Sequence, residues 1–227
     1  MRARYRLKPI FVNGLRVLFH VLKKVENHML LEIDDCQLVL VDYQQRLIPA
    51  IHQGADVTAR AVLLAQVAKA LDVPTWGTEQ NPDRLGPNDP ALRALCQKTF
   101  PKMHFGACES DLLTALRPPA RSSGNARSLP KHLQKPAAPA PGRNTVVLAG
   151  CEAHVCLLQT ALGLLDEEFD VWVVTDACGS RRERDRDAAF DRLAGNGVEL
   201  VTTEMVVFEW LRHCEHPHFK EVLGMIK

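Results

Sequence analysis

Three residues far apart in the chain have side chains that could share one reaction. Asp42 ends the short apolar run Gln37 to Val41. Cys156 follows the β-rich run Thr145 to Ala149 and falls in the first turn of a helical pattern that starts at His154. Lys102 sits among Phe100, Pro101, Met103, His104 and Phe105. A carboxylate, an ammonium and a thiol in one cleft can run nucleophilic catalysis. The carboxylate takes the thiol proton, the sulfur attacks an electron-poor carbon, and the ammonium balances charge. A helix N-terminus would lower the thiol pKa and offer N–H donors to an oxyanion. Each residue also has a plain structural reading. Asp42 fits an N-cap or a turn, Cys156 a buried core cysteine, and Lys102 a snorkelling surface lysine.

What must position them is an alternation of strands and helices. After the run ending at Asp42, residues 55–72 place Val57, Ala61, Leu64, Ala65, Ala68 and Leu71 on one helical stripe. Pro74 to Thr78 reads as the next strand, and residues 80–90 as loop. Pro90 to Gln97 reads as a short helix capped by Asp89. Beyond the run at 145–149, residues 154–165 read as helix and 171–175 as strand. Residues 181–194 read as a charged amphipathic helix with Ala188, Ala189, Leu193 and Phe190 inward, stopped at Gly195-Asn196-Gly197. A strand at 198–201 and a helix at 204–212 follow. Strands joined through helices need crossover connections and give a parallel sheet covered on both faces. The expected fold is α/β, three layers with about six mainly parallel strands. Ligands bind such sheets at the carboxyl ends of the strands, which is where Asp42, Lys102 and Cys156 fall.

Composition narrows the function classes. The chain has 227 residues, 46% hydrophobic and 24% charged, with a formal net charge of +1. That balance calls for neither nucleic acid nor an anionic membrane as partner. The seven cysteines are odd in number and include no Cys-x-x-Cys pair. The chain therefore reads as cytoplasmic with free thiols rather than as a disulfide scaffold.

Two segments stand outside this pattern. Residues 1–30 are basic, with no acid before Glu26, and their apolar stretch is broken by Arg16 and His20. That stretch is too short and too interrupted to span a membrane. It reads as an extension upstream of a start at Met29, as a basic targeting peptide, or as a helix packed on the domain or lying on a membrane surface. Residues 118–142 hold six prolines among Ser, Gly, Ala and basic residues. They read as a flexible insertion in a single domain spanning 31–227. Their basic residues lack the aromatics that stack on bases, so a solvated loop is favoured over nucleic-acid binding.

Several stretches, taken in order, resemble the isochorismatase-like hydrolases, a superfamily that includes nicotinamidases. They are LVLVDYQ (38–44), PKMHF (101–105), VVLAGCEAHVCLLQTAL (146–162) and VWVVTDACGSR (171–181). Thr78-Glu79-Gln80 and the ending His216 to Glu221 are similar to a less characterised branch of that superfamily. The resemblance implies a catalytic triad of Asp42 as base, Lys102 and Cys156 as nucleophile. It implies a non-proline cis peptide at Cys151–Glu152, aiming the N–H groups of Glu152 and Cys156 at an oxyanion. Candidate pocket residues are Gln44, Thr78, Glu79, Gln80, His104, Phe105 and His154. Nicotinamidase relatives carry histidines that hold a metal near the substrate. The matching stretch here, Thr78 to Asp83, has no histidine, so neither metal nor cofactor is expected. The cluster His213 to His218 is dense in soft ligands, but a solvated linker is favoured there.

The implied function is metal-independent cleavage of a small amide or related C–N bond through a covalent thiol intermediate, in a homo-oligomer. The alternative is a catalytically silent binding or scaffold protein on the same fold. It would be favoured if the insertion at 118–142 displaced Lys102 from Cys156.

Overall fold

A computed structural model describes residues 10–12, 15–17, 30–118 and 142–227. The chain divides into two units, Met1–Leu30 and Leu31–Lys227. In the first, β1 (Ile10–Val12) and β2 (Leu15–Val17) pair antiparallel. Leu15 to Val17 are therefore extended, not helical as one sequence reading had them. The rest of that apolar stretch, and the insertion from 119 to 141, lie outside the described residues.

The second unit holds a six-stranded parallel sheet. Its strands are β3 (Cys36–Val41), β4 (Thr75–Gln80), β5 (Lys98–Lys102), β6 (Thr145–Gly150), β7 (Asp170–Val174) and β8 (Glu199–Val201), in the order β5-β4-β3-β6-β7-β8. Every residue of β3 and β6 is buried. That explains why both read as nearly continuous apolar runs: parallel strands are covered on both faces. Helix α1 (Gly54–Ala70) buries the predicted stripe of Val57, Ala61, Leu64, Ala65 and Ala68. Short helices α2 (Pro82–Leu85), α3 (Pro90–Leu95) and α4 (Leu112–Leu116) flank β4 and β5 in sequence. Asp89 caps α3 through Oδ1, which accepts from Ala91 N at 2.9 Å. Helices α5 (Leu158–Asp166), α6 (Glu183–Gly195), α7 (Thr203–Leu211) and α8 (Phe219–Ile226) complete the unit. In α6, Ala189 and Leu193 are buried, but Ala188 is exposed. One turn of a highly charged helix offers too narrow a stripe to bury both alanines.

The strand order contains the feature that locates the site. From β3 the chain moves outward to β4 and β5, then returns to the other side of β3 for β6. Crossovers on the two sides diverge there, leaving a crevice at the carboxyl ends of β3 and β6. At these ends Gly150 is the register partner of Val41. A Cβ on Gly150 would stand 2.4 Å from Val41 O and 2.6 Å from Val41 Cβ. Backbone and Cβ atoms in a central strand have little room to yield. Gly150→Ala should therefore cost about 3 kcal/mol, at the upper end of ordinary overpacking. The expected result is a thermal midpoint lowered by about 6–12 °C, measured by circular dichroism. An unchanged midpoint would show that the sheet end accommodates a methyl group freely.

Candidate active site

The chain leaves β3 at Asp42 with φ of 55°. This left-handed conformation is uncommon outside glycine, though aspartate tolerates it. The Asp42 N–H donates to Thr78 O at 3.2 Å, tying the residue to the end of β4. Its side chain is wholly buried. Oδ1 accepts from Thr78 Oγ1 at 2.7 Å, and Oδ2 accepts from Lys102 Nζ at 2.7 Å.

Lys102 reaches that carboxylate from the edge strand, passing over β4. Its register partner is Gln80, and Nζ donates to Gln80 Oε1 at 2.9 Å on the way. It also donates to Phe105 O at 2.8 Å, with a longer contact of 3.4 Å to His104 O. The lysine side chain is 2% exposed, so this is a buried ion pair and not a snorkelling residue. Such a pair survives burial only when the remaining donors are satisfied, which the amide and carbonyl oxygens accomplish.

Cys156 joins the pair from the segment that follows β6. Asp42 and Lys102 are the two charged side chains that act on its thiol. It lies in a π-helical turn, Ala153–Leu157, that leads into α5. Single π turns inside helices are uncommon and recur at functional sites. Burial pushes the thiol up to about 12, with Asp42 adding to the rise and Lys102 opposing it. The sequence expectation of a lowered thiol pKa is thus reversed. Desolvation and a neighbouring carboxylate outweigh the ammonium, and the thiol holds its proton until a reaction removes it.

The peptide bond between Cys151 and Glu152 is cis. Cys151 is fully buried, donates its N–H to Val41 O at 2.9 Å, and has its thiol pushed far up by burial. The Glu152 carboxylate accepts from Arg181 N and Nε at 3.1 and 2.9 Å. Its carbonyl accepts from Val155 N and Leu157 N, which shapes the π turn beneath Cys156.

The predicted pocket residues divide into three groups. Gln44, Thr78, Glu79 and Gln80 are buried and spent on internal bonds. Gln44 clamps the end of β4, donating to Gln80 O and Gly86 O and accepting from Gln80 N. Glu79 accepts from Asn88 N at 2.9 Å. Thr78 and Gln80 hold Asp42 and Lys102 in place, as described. His154 is turned to Ser180, with Nδ1 and Oγ 3.0 Å apart. His104 and Phe105 are exposed, and His104 lines a cleft of about 380 Å³ together with Lys102 and Met103. Asp42 and Cys156 are not among that cleft's lining residues.

Sequence reasoning missed Thr160. Its Oγ1 donates to Cys156 O at 2.7 Å and accepts from Ala107 N at 3.1 Å. It thereby ties the cysteine's turn to the segment after Lys102. A lone threonine in a helix carries no signal for such a role. Among the described residues no group of three or more His, Cys, Asp or Glu side chains could hold a metal ion. Thr78 and Glu79, in the stretch that matches the nicotinamidase metal ligands, are already bonded within the protein. The residues present do not fit that metal.

The parallel sheet, with its polar cluster at the strand switch, defines a hydrolase-type α/β fold. The Isochorismatase domain profile matches residues 36–205. Isochorismatase domain-containing protein 2 of Xenopus laevis is 35% identical over 189 residues, covering 83% of this chain and 82% of its own. The structure of MAR1 ribonuclease from Caenorhabditis elegans superposes with a TM-score of 0.73 at 29% identity, covering 86% of this chain and 91% of its own. That of YcaC from Pseudomonas aeruginosa, with hexane-2,5-diol and covalent acrylamide, gives 0.72 at 25% identity, covering 87% and 92%. This chain belongs to the isochorismatase family.

Proposed function

We propose that the protein is a cysteine hydrolase that cleaves the C–N bond of a small amide through a thioester intermediate. One observation carries the reading: Asp42 and Lys102, paired at 2.7 Å, are the charged groups that act on the buried Cys156 thiol, so three strand ends contribute to one cluster. Asp42 takes the Cys156 proton as sulfur adds to the carbonyl carbon. Lys102 offsets the negative charge that the carboxylate and sulfur share. The N–H groups of Glu152 and Cys156, at the head of the π turn, stabilise the oxyanion. As the C–N bond breaks, Asp42 returns the proton to the leaving amine. Water then adds to the thioester, giving its proton to Asp42. Collapse releases the acid and restores the thiol. No step runs through a metal.

The covalent acrylamide in the YcaC neighbour supports the reading, since acrylamide is an electrophile that nucleophilic side chains attack. A homo-oligomer belongs to the same reading. No helix among the described residues is long and apolar enough to cross a membrane.

The test is a screen of small neutral amides with the full chain, quenched in acid and analysed by peptide mass. Amine release is expected, with an acyl group carried on the peptide containing Cys156. Saturable binding without release would instead favour a silent binding protein. An acyl group on a different cysteine would remove Cys156 from the mechanism.

A further inference from the structure

The segment from Met103 to Ala107 runs between the Lys102 side chain and the turn that carries Cys156. At one end, Lys102 Nζ holds the Phe105 carbonyl at 2.8 Å. At the other, Ala107 N donates to Thr160 Oγ1, which donates to Cys156 O. Between these anchors the backbone is fixed, yet two large apolar side chains point outward. Met103 is 70% exposed and Phe105 is 53% exposed. Ordering such side chains on a pinned loop, in water, gains nothing for the fold. Exposed apolar groups placed beside a cleft mark a binding surface.

The adjoining cleft has an apolar wall of Pro82, Pro101 and Met103, with His104 and Glu109 at the rim. Glu109 is exposed. Lys102 is the one lysine or arginine in the lining, and its ammonium is consumed by Asp42, Gln80 and Phe105. Among the described residues this cleft, which Lys102 lines, thus offers an anion no unpaired lysine or arginine, while Met103 offers an apolar group a side chain in the lining and Phe105 an exposed one two residues on.

Resting on Cys156 as nucleophile, we propose that Met103 and Phe105 determine specificity. They receive the alkyl or aryl substituent of a neutral amide and disfavour carboxylate-bearing substrates. Both residues act on the non-reacting part of the substrate, so they govern which amide is chosen rather than the bond-breaking step.

Three alkylating agents separate these effects: iodoacetamide, its N-phenyl derivative, and iodoacetate. In each case sulfur displaces iodide and the thiol proton is lost. Rates at Cys156 are read by peptide mass on the full chain carrying Cys214→Ser, because Cys214 is the exposed thiol. They are divided by the rates of free cysteine with the same reagents. The phenyl reagent is expected to be favoured over iodoacetamide by about tenfold or more, and iodoacetate to be disfavoured. Met103→Ser with Phe105→Ser should bring the ratio of the phenyl to the iodoacetamide rate down to that of free cysteine. Selectivity equal to that of free cysteine, or a preference that survives the double substitution, overturns the inference while Cys156 remains the nucleophile. If light scattering shows the double substitution dissociating an assembly with the preference intact, the patch is a subunit contact and the inference fails. A Cys156 inert to all three reagents removes the inference together with the nucleophile.

Discussion

Cys156→Ala is expected to lower amide turnover by on the order of 10⁵-fold, the scale on which a covalent mechanism depends on its nucleophile. The fold should survive. The side chain is small, and Asp42 and Lys102 keep each other at 2.7 Å without it. The thermal midpoint is the control, and a shift of more than a few degrees would make the kinetic loss ambiguous. The pH dependence of the wild type adds a second readout. Because burial and Asp42 hold the thiol at about 12, the resting protein carries it protonated at neutral pH. Alkylation of Cys156 without substrate should keep climbing with pH toward 12, beyond the region near 9 where an ordinary thiol levels off. Turnover should not follow that curve, since Asp42 removes the proton as the substrate arrives. A labelling curve that levels off well below 9 would mean that the ammonium dominates and the thiolate is preformed. Residual turnover within tenfold of wild type in Cys156→Ala would place the chemistry on another residue.

The sheet was legible in the sequence where burial was two-sided. The apolar runs at 37–41 and 145–149 became β3 and β6 within a residue at each end, because a strand covered on both faces is apolar along nearly all its length. The strand at β4 was expected to stop at Thr78 but continues through Gln80. Glu79 and Gln80 look like loop residues, yet their side chains are bonded inside the protein, and a sequence does not display such partners. β5 was harder still, since edge position lets it carry Pro101 and two lysines. At the site, the three reactive residue types could be placed at strand ends, and the family resemblance joined them. What spacing could not give was the direction of Lys102. Its route over β4 depends on the register that sets it opposite Gln80. Nor could the sequence distinguish pocket from scaffold. Gln44, Thr78 and Gln80 were grouped with His104 and Phe105, although the first three are buried clamps and the last two face solvent. The π turn under Cys156 has no sequence mark at all, because the helical pattern runs through it unbroken.

Lys102→Met should be the most damaging single change to stability and also severe for activity, and the two losses can be separated. The methionine fills much of the same space, so the main effect is electrostatic. It leaves the Asp42 carboxylate fully buried with the Thr78 hydroxyl as its remaining side-chain donor. Breaking a buried pair by removing one partner costs about 3–5 kcal/mol, which for a chain of this size lowers the thermal midpoint by about 6–20 °C. Removing both charges restores what removing one destroys, so Asp42→Asn with Lys102→Met should recover most of that stability. Activity should not recover. The double variant has neither a base for the thiol nor an ammonium beside the sulfur, and turnover should stay at least 10²-fold down, about what one preorganised charge contributes in such sites. A double-mutant cycle read by both thermal unfolding and amide turnover makes the comparison. If stability and activity recover together, the pair is a structural strut and Cys156 works without it. If the single Lys102→Met variant loses neither, the ion pair at the strand switch is not what holds this site.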